Sequence, residues 1–64
     1  MKLKKDYIIY LMNGMTQKEL SQKMEITDTW LSTIFKRGHA SMNIVNKLAK
    51  ALNVESIEII KMED

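Results

Sequence analysis

Between Asp28 and Lys36 the chain places Asp28, Thr29, Ser32, Thr33 and Lys36 at one-, three- and four-residue intervals. On an α-helix that spacing gathers them on one side, while Leu31 and Ile34 fall on the other. A carboxylate, hydroxyls and an ammonium in one stripe donate and accept hydrogen bonds in several directions, which is the chemistry of recognition. Covalent chemistry has no comparable constellation. Cysteine is absent and His39 is the single histidine, so the clustered ligands of a metal site are missing. No glycine-rich phosphate loop, paired-histidine motif or nucleophile elbow occurs, and 64 residues leave little room for a closed pocket. The expectation is a binding protein without enzymatic activity, metal or cofactor.

The elements that must position this stripe are short helices. Proline is absent and glycine occurs only at Gly14 and Gly38, so strand-and-turn architectures have little punctuation. Five stretches show helical period. In the first, Leu3, Tyr7, Ile8, Leu11 and Met12 share a side, and Asn13-Gly14 offers the left-handed residue that ends a helix. In the second, Thr16-Gln17-Lys18-Glu19 reads as a capping box, and Met15 and Leu20 take the places of a hydrophobic staple. Leu20 and Met24 form its buried stripe, with Ser21 small enough for close helix approach. Thr27 or Asp28 can cap the third, which buries Leu31, Ile34 and Phe35 and ends at Lys36, Arg37 and Gly38. Ser41 can cap a fourth with Ile44, Val45, Leu48, Ala49 and Leu52 inward and Asn53 as its stop. A last short helix is expected over roughly Ser56–Met62. The prediction is therefore an all-α, compact bundle of five short helices forming a single domain over residues 1–64.

Charge is distributed unevenly. Residues 1–40 carry seven Lys/Arg and four Asp/Glu, whereas residues 41–64 carry three and four. A basic front and a mildly acidic tail suit a domain that presents one face to a polyanion, although ordinary solvated lysines give the same count. Hydrophobic residues at 45% argue for a packed core rather than disorder. The apolar clusters Tyr7–Met12 and Ile57–Ile60 are too short to span a bilayer, and with no cysteine the expected location is cytoplasmic.

From Thr16 to about Lys36 the pattern resembles the helix-turn-helix of the lambda-repressor-like (Xre/Cro) family. Met15-Thr16-Gln17, Leu20, Ser21, Met24, Ile26, Leu31 and Ile34 carry the likeness, and Asn46-Lys47-Leu48-Ala49-Lys50-Ala51-Leu52-Asn53-Val54 extends it. The chain departs from the family pattern in two places: Glu25 stands where the turn usually carries glycine, and Phe35 to Ser41 is not of the commonest length. The resemblance implies double-stranded DNA as partner, with the helices near Thr16 and Asp28 as the motif. In that motif the first helix crosses the DNA backbone and the second lies in the major groove. Asp28, Thr29, Ser32, Thr33 and Lys36 are then the expected base-reading residues. Threonine offers a hydroxyl to several base edges and a methyl to thymine; Asp28 either accepts from a cytosine amino group or caps its helix. Thr16, Gln17, Lys18, Arg37 and Asn43 are the expected backbone contacts, with Gln17 as the phosphate clamp.

Other large residues admit more than one reading. Trp30 lies at the border of core and reading face, either packed against the first helix of the motif or pressed on a sugar or thymine methyl. Tyr7 and Tyr10 are expected to pack or stay half-exposed. Ile57, Ile59, Ile60 and Met62 cannot all fit beneath so small a core, which assigns Ile59 or Met62 to a homodimer interface. The expected function is transcriptional regulation by operator occupancy, as a phage or mobile-element type repressor, with no small-molecule ligand. The rival is a protein-interaction module, antitoxin-like or adaptor-like, built on the same motif.

Overall fold

The computed structural model describes residues 1–61. Four α-helices are formed: α1 (Lys5–Met12), α2 (Gln17–Met24), α3 (Asp28–Arg37) and α4 (Met42–Leu52), followed by a 3₁₀ turn, Ser56–Ile59. No strand longer than an isolated bridge occurs among these residues. The all-helical class thus holds, with one helix fewer than the periodicity suggests.

Each helix starts and stops for a local reason. At α2 the Thr16 Oγ1 accepts from the Glu19 amide (3.1 Å), and the Glu19 carboxylate accepts from the Thr16 amide (3.0 Å). The Thr16 amide, and next the Thr16 hydroxyl that donates to the same carboxylate (3.0 Å), hold the Glu19 carboxyl below its ordinary range. Its contribution to stability is therefore present above the normal carboxylate range and is lost as pH falls through the lowered value. Thr27 caps α3 by accepting from the Trp30 amide (3.0 Å), and Ser41 caps α4 by accepting from the Ile44 amide (3.4 Å). The α2 and α4 ends share one geometry. Ile26 N–H donates to Ser21 O and Glu25 N–H to Gln22 O; Val54 N–H donates to Ala49 O and Asn53 N–H to Lys50 O. This paired closure of the last carbonyls requires a left-handed residue at the turn. Glu25 supplies it at φ 59° and ψ 40°, in the place that favours glycine.

The core is a single cluster that includes Ile8, Leu20, Leu31, Val45, Leu48 and Ile59, all fully buried. Ser21, the one buried polar side chain among the described residues, donates its hydroxyl proton to Lys18 O (2.7 Å) and so enters the interior satisfied.

Both chain ends depart from the helical reading. Leu3 is buried as its period suggests, but from extended chain before α1 rather than from a helix. Antiparallel bridges join Lys2 to His39 and Leu3 to Ile60. Met1 and Ala40 exchange backbone hydrogen bonds in both directions (2.9 Å each), and Leu3 N–H donates to Gly38 O (2.8 Å). On the other edge Lys4 N–H donates to Ile59 O and Lys61 N–H to Lys2 O (2.9 Å each). The N-terminal segment thus lies between the α3–α4 connection and the tail. This pairing stops the last helix, because residues that continue a helix cannot also form an extended bridge. Gly38 to Ala40, within the stretch Phe35 to Ser41 expected to differ in length from the family pattern, are the residues it holds.

The same geometry corrects the assignment of Ile59 to a self-interface. Ile59 is 0% exposed and belongs to the core, whereas Ile57 is 60% exposed. The tail accommodates Ile59 and Ile60 because a 3₁₀ turn followed by extended chain points both inward. Met62, the other interface candidate, lies outside the described residues. Tyr7 and Tyr10 stack on each other at the surface, with ring centroids 6.3 Å apart and planes at 19°.

Two stability measurements test this account. Ile59→Ala removes a fully buried side chain and is expected to cost about 2–4 kcal/mol, enough to leave a domain of this size largely unfolded in a urea titration. Ile57→Ala should move the same transition by less than about 0.5 kcal/mol, and equal losses at the two positions would refute the tail geometry. Glu25→Gly relieves a left-handed side-chain residue and should raise stability by about 0.5–1 kcal/mol.

Candidate nucleic-acid interface

The turn at Glu25 sets α2 and α3 against each other so that their first residues meet. Gln17 and Asp28 each open a helix, and the Gln17 Nε2 donates to Asp28 Oδ1 across the pair (3.1 Å). A carboxylate only accepts, so this bond commits one N–H of the Gln17 amide to α3 and leaves the second N–H of the same nitrogen as a donor. Thr27 does the capping of α3, which settles the choice between the two cap candidates. Asp28 is the first helical residue, and its negative charge sits at the positive end of the α3 dipole.

Behind this pair, α3 presents its polar stripe. Asp28, Thr29 and Lys36 are exposed, and Ser32 and Thr33 are half-buried. Leu31 and Ile34 are buried on the opposite side, which fixes the rotation of the helix about its own axis. The hydroxyls along the stripe differ in what they still offer. Thr33 Oγ1 donates to Thr29 O (3.1 Å), so its proton is committed and it presents an accepting oxygen and a methyl. Thr29 makes no such internal side-chain bond among the described residues, so its hydroxyl is available as donor and acceptor.

The expected backbone contacts are arranged around this stripe. Lys18, Arg37 and Asn43 are exposed. Arg37 ends α3 and Asn43 is the second residue of α4. Thr16 is also exposed, but its hydroxyl is fully engaged: it accepts from the Glu19 amide and donates to the Glu19 carboxylate (3.0 Å). An outside contact through the Thr16 hydroxyl proton would take that proton from the Glu19 carboxylate, leaving the two backbone bonds of the capping box in place. Its role in the geometry is to fix where α2 begins, and hence where Gln17 stands.

Two features escaped the sequence reading. The Gln17–Asp28 bond joins residues eleven positions apart, and no local pattern announces it. Trp30 is 41% exposed and lines a groove with Ile34, Arg37, His39 and Ala40, closed by Ile44 from α4. It therefore packs toward the α3–α4 side. The i, i+4, i+7 spacing of Trp30, Ile34 and Arg37 on one face was the available signal.

Among the described residues no group of acidic, histidine or cysteine side chains could hold a metal ion, and no helix is long and apolar enough to cross a membrane. No curated protein and no solved structure matches the chain. A helix-turn-helix family model matches residues 8–59, from within α1 through the 3₁₀ turn. The match spans the capped pair α2–α3, its left-handed turn and the α4 that supports it, and on that ground the chain belongs to the Xre and lambda-repressor-like helix-turn-helix family of DNA-binding regulators.

Proposed function

We propose that the chain is a sequence-specific regulator of transcription that binds duplex DNA with α3 in the major groove. The observation that carries this reading is the polar stripe Asp28, Thr29, Ser32, Thr33 and Lys36, held outward by the buried Leu31 and Ile34 and flanked by Gln17 at the start of α2. An α-helix with its side chains is about 10–12 Å across and the groove about 12 Å wide, so a helix carrying short polar residues enters fully. Gln17, Lys18, Arg37 and Asn43 then face phosphates, and Thr29 and Thr33 face base edges.

As a mechanism we propose occupancy: the protein covers an operator and excludes polymerase, as a phage or mobile-element type repressor does. One recognition helix reads few base pairs, so two copies on half-sites about one helical turn (~34 Å) apart supply the specificity that one lacks. The place of action is then the cytoplasm, where the DNA lies. The rival reading, an antitoxin-like or adaptor module, requires an apolar patch on α3 where the stripe is polar.

Binding of labelled random duplex, followed by anisotropy across a salt series, is the first test. Affinity should fall steeply with salt, with a log–log slope of about −0.9 for each phosphate neutralised. A folded sample that binds no duplex at low salt would exclude the DNA reading. Gln17→Ala is expected to weaken all duplexes alike, whereas Thr29→Ala should change preference among selected sequences by about fivefold. Asp28→Asn keeps an oxygen that accepts from Gln17 but removes a negative charge from the DNA-facing side. It should strengthen binding to random duplex severalfold, with the gain shrinking as salt is raised; unchanged affinity would place Asp28 away from the phosphates.

A further inference from the structure

A helix that fills the major groove has two flanks, and each faces one sugar-phosphate wall. On α3 one flank is Asp28 and Ser32, with Gln17 of α2 beside them. The other flank is Trp30 and Arg37, which lie about half a turn of the helix circumference away. On that second flank the structure contains a groove of about 200 Å³ between α3 and α4, lined by Trp30, Ile34, Arg37, His39, Ala40 and Ile44. No acidic side chain lines it. It is smaller than the roughly 300–1,000 Å³ of ordinary small-molecule sites, and it opens beside the reading stripe, since Thr33 lies one turn from both Trp30 and Arg37.

We propose that this groove seats one deoxyribose of the duplex backbone, with the sugar against the Trp30 ring and the adjoining phosphate against the Arg37 guanidinium. The proposal rests on the DNA-binding reading and adds Trp30 to it as a contact residue. An apolar wall of Trp30, Ile34 and Ile44 matches the C–H faces of a sugar, and the cation at the rim matches the phosphate beside it. A base is a poorer occupant, because base edges lie at the groove floor, under Thr29 and Thr33, while the walls hold only backbone. Gln17 then grips one wall and Trp30 with Arg37 the other, which fixes the rotation of α3 in the groove. The bridges that tie His39 and Ala40 to the N-terminal segment hold the floor of this seat in place.

Trp30 is the only tryptophan of the chain, so its emission reports this groove directly. The test adds unlabelled duplex to the full chain and measures acrylamide quenching of Trp30, with binding followed separately by anisotropy of labelled duplex. The expected result is a quenching constant that falls by about half or more on saturation, since the exposed ring edge is covered. Binding without any change in quenching overturns the seat for the sugar while leaving the DNA reading intact. Absence of binding removes both. Trp30→Ala should weaken every duplex by about fivefold to tenfold without altering the salt slope, because no counterion is released by a sugar contact. Arg37→Ala should instead lower that slope by about one. A Trp30→Ala loss confined to sequences with thymine at one position would overturn the sugar and assign the ring to a base methyl. Trp30→Phe, which keeps an aromatic wall, is expected to retain most of the affinity and guards against loss of fold.

Discussion

The angle between α2 and α3 depends on one residue in an unfavourable backbone region. Glu25 at φ 59° lets the amides of Glu25 and Ile26 close back on Gln22 and Ser21, and the chain leaves α2 in the direction that starts α3 three residues later. If that turn were extended, Thr27 would lose its place as cap and Gln17 would no longer stand beside Asp28. A side chain in the left-handed region costs about 1 kcal/mol relative to glycine, yet the geometry is over-determined. Ser21 sits buried beneath the turn with its hydroxyl satisfied, and Leu20, Met24, Leu31 and Ile34 are all buried around it. The core holds Glu25 in its conformation, and that conformation in turn aligns α2 with α3, which presents the polar stripe.

A chain of this length has a second constraint, which is the shortage of interior. Four helices of eight to eleven residues cannot by themselves enclose Leu3, Ile59 and Ile60. The N-terminal segment solves this by pairing with two edges at once, so that Leu3 and Ile60 seal the bottom of the core while their backbones satisfy one another. The consequence reaches the interface. Gly38 and Ala40, which follow directly on α3, are tied to Leu3 and Met1 by hydrogen bonds of 2.8–2.9 Å. The spacing between the end of α3 and the start of α4 is therefore set by residues at the far end of the sequence.

Legibility followed the range of the interaction. The boundaries of α2, α3 and α4 could be read because caps and stops act within four residues: Thr16 with Glu19, Thr27 with Trp30, Ser41 with Ile44, and the left-handed Gly38 and Asn53. The buried faces could be read because helical period places Leu31, Ile34, Val45 and Leu48 inward. The ends could not be read the same way. Met1-Lys2-Leu3-Lys4 alternates apolar and polar residues, a period-two signal, but at four residues it is indistinguishable from the start of α1. Ile59 looked surplus because a helix continued through Met62 would have turned part of the tail outward; the bridge to Leu3 that turns Ile60 inward is a contact between residues almost a chain length apart. In the interface, the composition of the stripe was visible, while the states of its hydrogen bonds were not. That Thr33 spends its proton on Thr29, Thr16 on Glu19 and the Gln17 amide on Asp28 emerges only once the helices are placed.

Those internal bonds shape what kind of recognition this surface can perform. A base is read most sharply by a side chain that makes two directed hydrogen bonds to it, and α3 offers no arginine, asparagine or glutamine on its stripe. Thr33 has only an accepting oxygen and a methyl, Ser32 is half-buried, and Asp28 already holds Gln17. On the proposed reading, direct readout would then come mainly from Thr29 and Lys36, with methyl contacts from the threonines. Such a surface would discriminate weakly per base pair, and its grip would depend on how well the flanks fit the two backbone walls. A rigid fit to the walls also favours DNA whose groove width and curvature match it, which is sequence information read through shape. Pairing of two such surfaces on one operator would multiply that modest preference, since the energies of two half-sites add while the spacing between them is fixed by the protein.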